Sequence, residues 1–76
     1  MNSDNAAMRA ITYLEVYSPA EHQIVVDLLD SLHIIEFIEI VEETLDMILT
    51  TEEITSIINL SVGEIPQHLT NLMMRR

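Results

Sequence analysis

The stretch LLDSLHIIEFIEIVEE, residues 28–43, holds the side chains whose types and spacing bear most directly on chemistry. Ser31 follows Asp30 where a run of helical periodicity begins. In the first turn of a helix, free backbone N–H groups and the positive end of the macrodipole favour an attached or bound phosphate, so a phosphoester on Ser31 would be well placed. Ser and Asp are also common helix caps, and an ordinary capping role fits the same position. As an enzymatic nucleophile Ser31 lacks a base: His33 stands two residues on, where a helix points the two side chains well apart. His22 and His68 share no metal-ligand spacing with each other or with His33, and no metal site is expected. Hydrolysis by paired carboxylates needs a cleft that a chain of 76 residues hardly provides. The chain is therefore read as a non-enzyme.

Along the helix from Leu32, at about 100° per residue, Ile34, Phe37, Ile38, Val41 and Leu45 share one broad sector, the expected core face. Glu36, Glu39 and Glu43 stand nearly opposite, with no basic residue among them, and their repulsion weakens the isolated helix by roughly a few tenths of a kcal/mol per pair. Stability alone would not choose that arrangement. Leu32 and Ile35 point toward the acidic side, which gives an exposed anionic stripe with apolar points inside it. This is the pattern of a docking surface for a basic, partly apolar partner. A solvated face carrying an isolated exposed leucine is the plain alternative.

Several further elements must hold this helix in place. Ser3 or Asp4 can cap a first helix running to about Tyr17, with Met8, Ile11, Leu14 and Tyr17 as its apolar stripe. That helix ends near YSP, because Pro19 disfavours helical geometry at Ser18, and Ser18, Pro19 and Glu21 offer the start of a short helical turn inside the connection. The main segment runs from Asp30 to about Leu45. Thr50 or Thr51 then caps a short helix that carries acids in its first turn and ends near Asn59. Ser61 and Glu64 have capping-box spacing ahead of a last stripe of Val62, Ile65, Leu69 and Leu72 or Met73. Pro66 cannot donate to the carbonyl of Val62, so this last helix either starts later than Ser61 implies or bends.

The bulk numbers agree with a single helical domain over residues 1–76. A hydrophobic fraction of 49% is high for a disordered chain, and one Gly with two Pro provides too little punctuation for many strands. Thirteen acids against three arginines leave a net charge of -10, which repels nucleic-acid phosphates and anionic membranes and attracts basic protein surfaces. Without cysteine there is neither a disulfide framework nor a thiolate metal site. No window approaches the roughly 20 apolar residues of a membrane span, and the start MNSDNAAMRA lacks the features of a leader, so a cytoplasmic protein is expected.

The segment DSLHIIEFIEIVEETL resembles the modification site and recognition helix of acyl carrier proteins and the related peptidyl carrier domains. Ser31 stands in the place of the serine that carries 4′-phosphopantetheine. The resemblance continues through Phe37, Val41, Glu42, Glu43 and Leu45, then TTEEI for the short third helix and NLSVGEI with Leu69 for the last, covering about residues 24 to 72. It implies an all-α, acyl-carrier-protein-like four-helix bundle with three main helices and a short third one. It also implies a covalent 4′-phosphopantetheine arm delivered from coenzyme A to Ser31 by a phosphopantetheinyl transferase, with Asp30 and Leu32 flanking the attachment. The arm's thiol would hold an acyl or aminoacyl group as a thioester, so the chain needs no cysteine of its own. Leu32, Ile35, Glu36, Glu39 and Glu43 would meet basic patches on the transferase and on loading, condensing or transferase enzymes of fatty-acid, polyketide or related biosynthesis. Phe37, Ile38, Val41, Ile54, Ile57 and Leu60 are the candidates for a cargo pocket, with plain core as their other role.

Three features depart from the family pattern. No glycine precedes the Asp-Ser pair in VVDLLDSL, which leads to the expectation of an earlier start for the central helix; the connection before Ser31 is short; and Pro66 interrupts the last segment. They point to a specialised, free-standing carrier. The competing reading is an unmodified acidic helical protein, an inhibitor or scaffold, that binds a basic protein surface.

Overall fold

The computed structural model describes residues 3–75, with side chains from residue 8 onward. Five helices follow one another: α1 (Ser3–Glu15), the single turn α2 (Val25–Leu28), α3 (Ser31–Leu45), α4 (Thr51–Ile58) and α5 (Ile65–Met74), the last entered through a 3₁₀ turn at Val62–Glu64. Among the described residues there is no strand, only an isolated antiparallel bridge between Ile24 and Ser61. The fold is all-α. α1 packs along both α5 and α3, and α2 lies against α4.

The apolar stripes of the sequence meet in one core. Leu14 of α1, Phe37, Val41 and Leu45 of α3, Ile57 of α4 and Ile65 and Leu69 of α5 are all fully buried. In α1 the buried face differs from the expected one: Ala10 and Leu14 are buried, Ile11, Tyr13 and Tyr17 pack against the core, and Met8 is 67% exposed. Because α1 is covered by two helices its buried sector is broad, and Met8 falls beyond its edge. The cap expected from Ser3 or Asp4 lies outside the described side chains.

α1 ends at Glu15, two residues before the expected Tyr17. The chain tightens there through bonds from Tyr17 N–H to Leu14 O and from Ser18 N–H to Glu15 O, both 3.0 Å. Ser18 then takes a left-handed conformation with φ of 49°, and Pro19 after it bars the helix from continuing. The helical turn expected at Ser18–Glu21 forms instead at Val25, after a turn closed by Gln23 N–H on Ala20 O. This connection is fastened to the end of α4 by backbone bonds from Val25 N–H to Leu60 O, Val62 N–H to Gln23 O and Gly63 N–H to Glu21 O. The single glycine belongs to this seam. A Cβ on Gly63 would stand 3.2 Å from Glu21 O, an atom that the Gly63 N–H already holds in place.

The missing glycine before Ser31 does not lengthen the central helix. α2 stops at Leu28, Leu29 and Asp30 are extended, and α3 begins at Ser31 with Asp30 as its cap. Thr50 caps α4 by accepting from Glu53 N–H, while the Glu53 carboxylate accepts from Thr50 N–H. Pro66 acts by delaying the last helix: it occupies the second position of α5, where no intrahelical N–H is required, and the Glu64 carboxylate reaches back to Ser61 N–H.

α3 ends at Asp46, which adopts the left-handed conformation with φ of 57°. The Glu42 carboxylate then accepts from Leu49 N–H and shapes the turn into α4. A left-handed helix end favours glycine, and a carboxylate at a helix C-terminus opposes the macrodipole. Asp46→Gly is therefore expected to stabilise the fold by about 0.5–1 kcal/mol, despite the added freedom of the unfolded chain. Thermal unfolding of the two proteins at neutral pH measures it, and an unchanged or lowered midpoint would refute it.

Candidate functional site

Ser31 is the first residue of α3 and is exposed. Two extended residues deliver the chain to it, so its hydroxyl stands at a helix start and not along a helix flank. Asp30 Oδ1 accepts from His33 N–H at 2.9 Å and lies 2.7 Å from His33 Nδ1. These bonds, the backbone one foremost, hold the Asp30 carboxyl below its ordinary pKa. The His33 ring meets Tyr17 edge-on, with centroids 5.7 Å apart.

α1 reaches the same turn of α3 through Tyr13. Its hydroxyl donates to Glu36 Oε1 at 2.9 Å and lies 3.3 Å from His33 O, while its ring stands 6.0 Å from Phe37. Burial, and then the bond to Glu36, push the Tyr13 phenol well above its ordinary pKa. The three acids of the stripe are thus unequal. Glu36 is held by Tyr13, Glu43 faces Arg9 at 3.8 Å, and the Glu39 carboxylate has no ion pair or hydrogen bond among the described residues. No basic residue stands among the three glutamates along α3, and the cation at Glu43 comes from α1, which periodicity along α3 does not reveal. Both members of that pair are exposed, so it contributes little to stability.

Leu32 and Ile35 are 64% and 57% exposed beside Glu36, Glu39 and Glu43, all exposed as well. The surface continues past the sequence-predicted residues. An open groove is lined by Glu39, Glu42, Glu43, Asp46, Met47 and Ile48, with Ile48 83% exposed. Ile48 lies beyond the helix, where helical phase carries no information, and only its position inside an acidic run marks it in the sequence. His33 is missed for another reason: its partner is Asp30, three residues back, and not Ser31. The Asp-x-x-His spacing of a cap and the third helical residue is the signal.

Of the candidate cargo-pocket residues, Phe37, Ile38, Val41 and Ile57 are buried in the common core, and Ile54 and Leu60 pack against it. They meet from α3, α4 and the segment after α4. Among the described residues no group of three or more His, Cys, Asp or Glu side chains is arranged to hold a metal ion. No helix among them is long and apolar enough to cross a membrane.

The pKa directions set a pH dependence. A carboxyl lowered on folding adds stability above its unfolded pKa and loses it as pH falls through the folded one; a phenol raised on folding adds stability below about 10 and loses it above. Asp30 and Glu64 are lowered, Glu64 chiefly by Ser61 N–H, and Tyr13 is raised. Asn caps a helix about as well as Asp and does not titrate. Asp30→Asn is therefore expected to unfold at a lower temperature than the parent at neutral pH, with a gap that narrows as pH falls below the ordinary carboxylate range and closes only as pH falls through the lowered pKa of folded Asp30. Midpoints between pH 3 and 7 measure this, and a constant gap would show that the charge on Asp30 plays no part.

Comparison with protein-family models, with curated proteins and with solved structures finds no match to this chain.

Proposed function

We propose that the chain is a carrier protein, modified on Ser31 with 4′-phosphopantetheine and presented to partner enzymes through the acidic face of α3. The observation that carries the reading is the exposed Ser31 at the first position of α3, directly after a firmly held Asp30 cap and at the head of the face formed by Leu32, Ile35, Glu36, Glu39 and Glu43. The order of elements supports it too. α1, α3 and α5 are the main helices and α4 is the short one between the last two, as the resemblance to acyl carrier proteins implies, with α2 as an added turn.

The residues present fit the group. A hydroxyl at an exposed helix start is open to a transferase, and the positive end of the helix macrodipole favours a phosphodiester attached there. In the modification Ser31 Oγ attacks the phosphorus that bears the pantetheine in coenzyme A. The bond from that phosphorus to the bridging pyrophosphate oxygen breaks, adenosine 3′,5′-bisphosphate leaves, and the hydroxyl proton passes to a base of the transferase or to solvent. When attached, the arm supplies a thiol that holds an acyl or aminoacyl cargo as a thioester. The chain's own residues do the remaining work: α3 displays the attachment point, and its carboxylates with Leu32 and Ile35 meet basic, partly apolar patches on the transferase and on loading or condensing enzymes. Steering by charge makes such encounters fast without a deep interface.

The test is intact mass after incubation with coenzyme A and a promiscuous phosphopantetheinyl transferase, with Ser31→Ala beside the parent. A folded parent that gains nothing from several transferases would favour the second reading, an unmodified acidic protein that binds a basic surface. The exposure of Leu32, Ile35 and Ile48 among carboxylates suits that reading equally well.

A further inference from the structure

We infer that His33 is a positioning residue for the modification of Ser31: by holding the Asp30 carboxylate from its side chain as well as its backbone, it fixes the start of α3 in the form the transferase receives. The inference rests on the carrier reading and concerns this chain's own residues.

Two donors from one residue converge on one oxygen. His33 N–H meets Asp30 Oδ1 at 2.9 Å and Nδ1 lies 2.7 Å from the same atom. Only the first of these is needed to cap a helix, because a cap accepts from the backbone of the second or third helical residue. The second contact lies between side chains 38% and 67% exposed, where a charged pair adds little to stability. Its effect is on geometry: a carboxylate held by one bond can still turn about its side-chain torsions, whereas one met by both the backbone N–H and the ring Nδ1 of His33 is held in one orientation. The ring is itself fixed, edge-on against Tyr17, and the Tyr13 hydroxyl lies 3.3 Å from His33 O. α1 is thereby connected through Tyr13, Tyr17 and His33 to the residue next to Ser31.

Attack by Ser31 Oγ on the pantetheine-bearing phosphorus of coenzyme A, with loss of adenosine 3′,5′-bisphosphate, requires in-line placement of the nucleophile, and displacements of about 1 Å cost up to about 100-fold in rate. A helix start held in one arrangement supplies that placement before the transferase binds. The consequence falls on the chemical step more than on encounter, which depends on the carboxylates further along α3.

The experiment compares the parent, Ser31→Ala, His33→Leu and His33→Asn as substrates of a phosphopantetheinyl transferase, reading kcat and KM from the rate of mass gain. It also follows the Asp30 carboxyl by carbon NMR through an acid titration of each protein. Leu removes the donor and keeps an apolar contact for Tyr17. Asn places an amide N–H where Nδ1 stood. We expect kcat/KM of His33→Leu to fall about tenfold, mainly in kcat, and that of His33→Asn to stay within about twofold of the parent. The Asp30 titration should move up toward the ordinary range in the Leu variant and stay low in the Asn variant. Parental rates in His33→Leu, an Asn variant as slow as the Leu variant, or an Asp30 titration that Leu leaves unmoved would each overturn the inference while the carrier reading stood. A folded parent that gains no mass would sink the carrier reading, and this inference with it.

Discussion

Ser31→Ala is expected to abolish the gain of one phosphopantetheine proposed for the parent with coenzyme A and a promiscuous transferase, and to leave the fold untouched. The loss is complete because no other group can take the role at that place: removing Oγ removes the atom that forms the new ester bond. The fold survives because Ser31 contributes no hydrogen bond to the cap. Asp30 is the cap, its bond is to His33, and the Ser31 side chain is exposed. Alanine is a good helix former at a first helical position, so the change in stability should lie within about 0.5 kcal/mol. Circular dichroism and a thermal midpoint equal to the parent's make the comparison clean. Modification of the Ala variant would mean that another hydroxyl is the acceptor. A parent and variant that both stay unmodified would transfer the acidic face to the alternative role of a plain binding surface.

Much of this molecule could be read from spacing alone, where one helix face decides burial. The period of α3 separates Ile34, Phe37, Ile38, Val41 and Leu45 from Glu36, Glu39 and Glu43, and the structure buries the first set, Ile34 only in part, and exposes the second. Caps were legible for the same reason: Asp30 and Thr50 stand immediately before periodic segments, and each accepts from the residue three further on. The connection between α1 and α3 was not legible. Its course depends on backbone pairing with residues 60–63, contacts across 35 or more positions for which local pattern carries no trace, so α2 appears at Val25 and not at Ser18. The burial of α1 failed at Met8 because two neighbouring helices, and not the stripe itself, define its covered sector. At the site, the order Asp-Ser and the run of glutamates were visible. The roles of Tyr13, Arg9 and His33 were not, because two of them act between helices and the third was weighed only against Ser31, and rejected there, while its partner is Asp30.

Charge reversal along α3 is the second change of large expected effect, and the structure decides how to make it. Reversing Glu36, Glu39 and Glu43 together should slow association with a basic partner by about 100- to 1,000-fold at low salt, the range that electrostatic steering spans. That triple variant carries a confounding loss, since Glu36 accepts from the Tyr13 hydroxyl and a lysine at 43 would face Arg9, so the packing of α1 on α3 would suffer as well. Glu39→Lys avoids both, because Glu39 makes neither contact. Alone it should raise the transferase KM about tenfold at low salt, with kcat nearly unchanged. The difference should shrink as the screening length falls from about 10 Å at 0.1 M salt to about 3 Å at 1 M. Stopped-flow association or KM measured across that range tests the assignment, and a Glu39→Lys protein that docks like the parent at low salt would show that partners approach from elsewhere. The pattern across three variants would then distinguish three proposed roles of one helix. Loss of Oγ ends the transfer at any salt, a salt-dependent rise in KM from Glu39→Lys marks the docking face, and a salt-independent fall in kcat from His33→Leu marks the geometry of the helix start.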